Sequence, residues 1–147
     1  IRFSAGEDFM KKLEKVKSLL STRYPEGVNL ELLFDQLLEG YLDKNDPERR
    51  EGDNNIEIDK LNRNRNIPQR VKDRVYKRDG GRCSFVSRTG RKCNSTWNLQ
   101  FDHIVPFGKG GDNSPDNLRL LCARHNQLMA RREYGPEHIS RFKGKAP

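Results

Sequence analysis

The residues of this chain best equipped for chemistry are Asp102 and His103, then Asn117, then His125 and Asn126, set beside the three cysteines Cys83, Cys93 and Cys122. Thirteen residues separate His103 from Asn117, and eight separate Asn117 from Asn126. Neighbouring residues on a helix point about 100° apart, so His125 and Asn126 should not serve the same ion. We assign His125 to the three thiols, since three thiolates and one imidazole complete a tetrahedral structural zinc site. Asn126 is assigned with Asp102 to a second ion: one carboxylate and one amide oxygen, completed by waters and a phosphate, suit Mg2+ or Mn2+. His103 then has no ligand duty and, with a side chain that titrates near neutrality, is the expected general base. Asn117 is expected to order the loop behind it through side-chain to backbone hydrogen bonds, fixing His103 in place. Taken singly, each residue has a plainer reading: a surface Asp-His pair, a turn or cap asparagine, buried cysteines without a metal. Their joint spacing favours the chemical one.

These side chains need elements to hold them. Residues 98–105 are rich in Phe, Ile and Val and read as a strand that delivers Asp102 and His103 at its end, on opposite faces. Residues 107–113 read as a flexible Gly-Lys-Gly-Gly loop, which has neither the spacing nor the following Ser/Thr of a P-loop. A second short strand follows at 118–121, then a helix at 123–132, whose start puts Cys122 and His125 on one face. Cys83 and Cys93 bracket nine residues in which Arg88-Thr89-Gly90 can turn a hairpin and bring the two thiols together. Pro68 suits the first turn of a helix, Val71 and Val75 give it an apolar stripe, and Asp79-Gly80-Gly81 ends it.

Read as FDH, PDNL and LCARHN, the set resembles the HNH family of metal-dependent nucleases, with Asn126 in the last place making it the HNN variant. The resemblance covers about residues 67–135. It implies an α+β fold, a ββα-metal nuclease core with a structural zinc site. It also implies an endonuclease that hydrolyses DNA phosphodiesters to 5′-phosphate and 3′-hydroxyl ends. Asn in the final position makes a soft-metal catalytic site less fitting and a magnesium or manganese one more so. Two rival readings stay open. One is a non-catalytic zinc-containing DNA-binding module, which has no need of Asp102-His103 beside Asn126. The other is a nuclease directed at RNA, since phosphate contacts do not distinguish the sugars.

Ahead of that core, Phe9, Leu13, Val16 and Leu20, then Leu30, Leu33, Phe34, Leu37, Leu38, Tyr41 and Leu42 recur at helical spacing around a break at Pro25-Glu26-Gly27. We therefore expect an N-terminal helical hairpin over residues 1–43, capped at its second helix by Asn29. A polar linker follows over 44–66, with a short extended piece at Ile56 to Ile58, and the nuclease domain spans 67–147. Two helices alone enclose no core, so the hairpin should bury its stripe against the nuclease part, absent sequence or a second copy in a homodimer.

Charge divides at the same place. Residues 1–59 carry 9 Lys+Arg against 14 Asp+Glu, a net −5, and residues 60–147 carry 20 against 7, a net +13. Such a field draws in phosphate polyanions, and DNA is the expected partner. Lys109, Arg119, Arg124, Arg131 and Arg132 are the expected phosphate contacts. No apolar run approaches the roughly 18 residues of a membrane span, and no signal-peptide pattern is seen. The odd cysteine count argues against a disulfide framework, so a cytoplasmic, reducing setting is expected, and we expect a bacterial or phage protein. The first residue is Ile, as expected of a piece processed, trimmed or excised from a longer chain.

Overall fold

The computed structural model describes residues 4–50, 65–135 and 137. The chain divides into two compact units, Ile1–Asp46 and Pro47–Pro147.

The first unit holds two helices. Helix α1 (Glu7–Leu20) and helix α2 (Leu30–Asn45) are joined through a turn in which Gly27 takes φ +114°, a backbone region that side chains disfavour. Asn29 caps α2: its Oδ1 accepts from the amide of Leu32 at 2.8 Å, satisfying one of the donors that the first turn leaves without a partner. Leu33, 1% exposed, is the buried side chain of α2. Leu30, Phe34, Leu37, Leu38 and Tyr41 fall at steps of three and four along the same helix and remain exposed.

The second unit is built around a two-stranded antiparallel sheet, β1 (Leu99–His103) and β2 (Leu118–Cys122), with helix α3 (Gln69–Arg78) before it and helix α4 (Ala123–Tyr134) directly after it. The register pairs Leu99 with Cys122, Phe101 with Leu120, Asp102 with Arg119 and His103 with Leu118. Val71 and Val75 of α3 meet Leu118 and Leu120, with Leu99 and Phe101 packed against them. Leu121 joins Cys83 and Cys122 in a second cluster that Met129 of α4 covers. Each of these leucines contributes about 1.5–3 kcal/mol through burial, which a sheet of two strands needs because alone it is marginal in water. The cysteine hairpin docks onto β2, where Ser84 donates from its backbone amide and its hydroxyl to the carbonyl of Leu120, both at 2.9 Å. On the same residue Asp79 Oδ2 accepts from the Leu120 amide at 2.8 Å, tying the end of α3 to the strand.

Two expectations are revised. The strands and final helix differ in extent from the sequence reading, β1 stopping at His103, because the ladder ends where the carbonyl of Asn117 takes the Ile104 amide at 2.8 Å. The segment read as a flexible loop is ordered: Phe107–Lys109 and Pro115–Asn117 are single 3-10 turns, and the Gly111 amide bonds the carbonyl of Pro106 at 3.1 Å. Gly111 is required there, since a Cβ would lie 1.9 Å from the carbonyl oxygen of Val105. Within the segment expected to be a linker, Arg50 pairs with the buried Asp73 of α3 at 2.7 Å. The extended piece expected at Ile56 to Ile58 lies outside the described residues.

Candidate metal centre and cleft

The cysteine cluster is assembled by three elements. Backbone bonds from Cys83 to the carbonyl of Ser95 (2.8 Å) and from Cys93 to that of Phe85 (3.0 Å) close an antiparallel hairpin around a turn where Gly90 takes φ +77°. Cys122 ends β2 and stands at the N-cap of α4, and His125 sits in the first turn of that helix. The three sulfurs and the imidazole nitrogen all lie within 4.8 Å of one another. His125 Nδ1 is 3.5 Å from Cys83 Sγ and 3.4 Å from Cys122 Sγ. Zinc bonds of about 2.3 Å to sulfur and 2.05 Å to nitrogen at tetrahedral angles would separate these atoms by about 3.5 Å, so the donor set is compatible with a zinc site. Phe85 lies flat against the imidazole, ring centroids 3.9 Å apart and planes 11° from parallel, and so holds Nδ1 toward the sulfurs.

The electrostatics of the cluster follow from its seat at a helix start. Burial pushes the Cys83 thiol above its ordinary range. Burial acts the same way on Cys122, but the backbone amides of His125 and Arg124 and the neighbouring thiols outweigh it and hold that thiol below its ordinary range. Burial, then the nearby Arg124 charge, lowers the basicity of His125, favouring the neutral form that ligates metal.

Asp102 and His103, on opposite faces of the end of β1, both line one cleft of about 460 Å³, with Arg65, Phe107, Arg119 and Arg132 also in its wall. Asp102 Oδ2 accepts from Arg119 Nε at 2.8 Å, the cross-strand partner in register with it. His103 Nε2 lies 2.9 Å from Asn113 Oδ1. The Asn113 amide nitrogen donates to the carbonyl of Asn66 at 3.4 Å, an orientation that turns its oxygen to the ring and favours the tautomer with the proton on Nε2. Nδ1 is thereby left as the acceptor. Phe107 meets the same ring edge-on at 5.9 Å.

Asn117 ties the loop together. Its Oδ1 accepts from the Val105 amide at 2.8 Å, and its Nδ2 donates to the carbonyls of Val105 (3.1 Å) and Asp112 (2.9 Å), while its own amide is capped by Ser114. Asn126 is not in the wall of the cleft. Its Nδ2 donates to Gln100 Oε1 at 2.5 Å, two positions before Asp102 and so on the same face of β1, which leaves the amide oxygen available to a cation. The expected phosphate contacts are dispersed. Arg119 is paired with Asp102, Lys109 bonds Glu133 at 2.5 Å, Arg132 is in the cleft, and Arg124 and Arg131 line a separate groove along α4.

One residue and one pairing of this site carry no sequence signal. Asn113 lies among several polar loop residues that composition does not rank, and the Arg119 pairing with Asp102 emerges only from the strand register.

Residues 90–129 match the family model for HNH endonucleases. No curated protein matches the chain. The matched segment takes in the returning arm of the cysteine hairpin, both strands, the ordered loop and the first half of α4, and with them Asp102, His103, Asn117, Asn126 and three of the four zinc-type ligands. The match supports a nuclease-type function acting on nucleic acid. Among the described residues no helix is long and apolar enough to cross a membrane.

Proposed function

We propose that this protein is a zinc-stapled, magnesium-dependent endonuclease that cleaves DNA phosphodiesters to 5′-phosphate and 3′-hydroxyl ends. The observation that carries this reading is the pairing, in one cleft, of a carboxylate with a histidine whose Nδ1 is left as an acceptor. A pure binding module has no use for that arrangement. His103 Nδ1 takes a proton from water as its oxygen attacks phosphorus and the bond to the 3′ oxygen breaks. Asn113 holds the tautomer, and Asn117 keeps the loop that carries Asn113 folded beside β1. Arg65, Arg119 and Arg132 supply positive charge in the cleft wall for the phosphate, Arg119 through the donors that Asp102 does not occupy. Asp102 and Asn126 are the residues that would hold Mg2+ or Mn2+, and such an ion would neutralise phosphate charge and stabilise the departing oxygen. Cys83, Cys93, Cys122 and His125 would hold Zn2+ as a structural ion.

Supercoiled plasmid and structured RNA, each incubated with Mg2+, Mn2+ or EDTA, test this directly. Nicking or linearisation of plasmid that depends on the added ion is expected. Asp102→Ala and Asn126→Ala should each weaken cleavage in a way that raised Mg2+ partly restores, Asp102→Ala the more severely because of the two residues assigned to the ion it alone carries charge. Cleavage of RNA with plasmid left intact would reverse the substrate, and variants that extra Mg2+ leaves wholly unrescued would remove both residues from the ligand set.

The exposed stripe Leu30, Phe34, Leu37, Leu38 and Tyr41 supports a role for the hairpin in assembly. We expect the full chain to dimerise through it, placing two clefts for cutting both strands, whereas a chain beginning near Asn62 should be monomeric and mainly nick. Light scattering beside plasmid cleavage reads both. Two monomeric proteins with the same ratio of nicked to linear product would leave the hairpin no part in paired cutting.

A further inference from the structure

Trp97, the chain's single tryptophan, is 83% exposed. A tryptophan buries some 150–250 Å² when it packs, so one left in water on an ordered rim is an uncommon placement. The rim is ordered. Ser95 accepts the Cys83 amide at 2.8 Å and Asn98 accepts the Ala123 amide at 3.0 Å, so the backbone is tied on both sides of Trp97, to the cysteine hairpin and to the start of α4. Asn94 and Asn98, on either side of it, take φ +53° and +49°, a left-handed conformation that asparagine tolerates better than other side chains. Between them the Trp97 amide bonds Ser95 Oγ at 3.3 Å. The indole is thus presented by a fixed loop.

The segment that carries it is cationic, and Arg82 donates to the carbonyl of Asn94 at the edge of the Trp97 loop. Residues 80–101 contain Arg82, Arg88, Arg91 and Lys92, all exposed, and no Asp or Glu. Basic side chains for phosphates beside a free aromatic face for a base is the chemistry by which single-stranded nucleic acid is held. A fully paired duplex offers the indole no face, because its bases are stacked on one another; an unpaired base does. From Leu99 to His103 the four steps of β1 span about 13 Å. The two further residues back to Trp97 bring this to at most about 20 Å, so a strand whose phosphate lies at His103 reaches the indole within about six nucleotides, at roughly 3.4 Å of rise per step.

We propose that the cysteine hairpin and Trp97 form a second nucleic-acid contact, in which the indole stacks on an unpaired base near the cut and directs the protein to bulged or locally opened DNA. The inference rests on the nucleic-acid reading of the cleft. Trp97 is its own reporter, being the only indole in the protein.

The test titrates the full chain, without added Mg2+, with a paired duplex and with the same duplex carrying a single-base bulge, following tryptophan emission and, for Trp97→Ala and Trp97→Phe, fluorescence anisotropy of labelled DNA. The bulged duplex should quench the emission and bind on the order of tenfold more tightly than the paired one. Trp97→Ala should erase that preference while leaving affinity for the paired duplex, zinc content and melting temperature unchanged, and Trp97→Phe should keep part of it. Equal binding of both duplexes, unaltered by Trp97→Ala, would overturn the stacking role and leave the cleft reading standing. Binding of neither duplex would overturn both.

Discussion

His103→Ala will abolish plasmid cleavage, lowering the rate by about 10²–10⁴-fold, the usual contribution of a positioned general base. The fold should tolerate the change, since the imidazole stands at the end of β1 with a hydrogen bond to Asn113 and an edge contact to Phe107, outside both buried clusters. Losing a partly exposed bond of this kind costs about 0.5–1.5 kcal/mol. DNA binding should persist too, because the net +13 of residues 60–147 is untouched. The measurement is the nicking rate of supercoiled plasmid beside anisotropy on labelled duplex and a thermal melt. A variant that binds, folds and still nicks near the wild-type rate would sink the role given to His103. Loss of cleavage together with loss of binding would instead place the side chain in substrate capture.

Cys122→Ser will cost the protein its zinc and most of its fold together. Structural zinc binding is on the order of 10–16 kcal/mol of folding free energy in small domains, as large as the whole stability of an ordinary one. Here the metal would join the hairpin, the end of β2 and the start of α4, and the apolar cluster it would close is small: Cys83, Leu121 and Cys122, with partly buried neighbours. Cys122 is the sharper choice of variant because its thiol is the one held toward the ionised form. Elemental analysis and a melt of the same sample should show zinc content and melting temperature falling in step. A wild-type protein that contains no zinc and still melts cooperatively at high temperature would dismiss the structural role of the metal.

What could be read in the residues was whatever depends on near neighbours. The two helical stripes, the Asn29 cap and the bracketing of a turn by Cys83 and Cys93 are short-range patterns, and each is found in the fold. The offset of three between Cys122 and His125 places both on one side of a helix start whatever lies elsewhere. The strand register is a different matter, because it is set by the loop of residues 104–117, whose own geometry depends on Asn117, Gly111 and contacts returning to Val105. The same glycines that suggest mobility in the sequence, Gly110 and Gly111, serve a tight return of the backbone. Asn113 was invisible for the same reason: its partner His103 is ten residues away, across a loop whose path no local pattern specifies.

The Arg119 guanidinium already sits on Asp102, the carboxylate that a catalytic cation would use, so cation and arginine compete for the same negative charge. A phosphate entering the cleft draws the same arginine, and whatever part of its hold on Asp102 is given up is returned as affinity for the ion. By thermodynamic reciprocity the ion must then strengthen phosphate binding by the same factor. Magnesium titrated alone should therefore look weaker than magnesium titrated with DNA present, and the cleft would become fully charged for chemistry only when its substrate is in it.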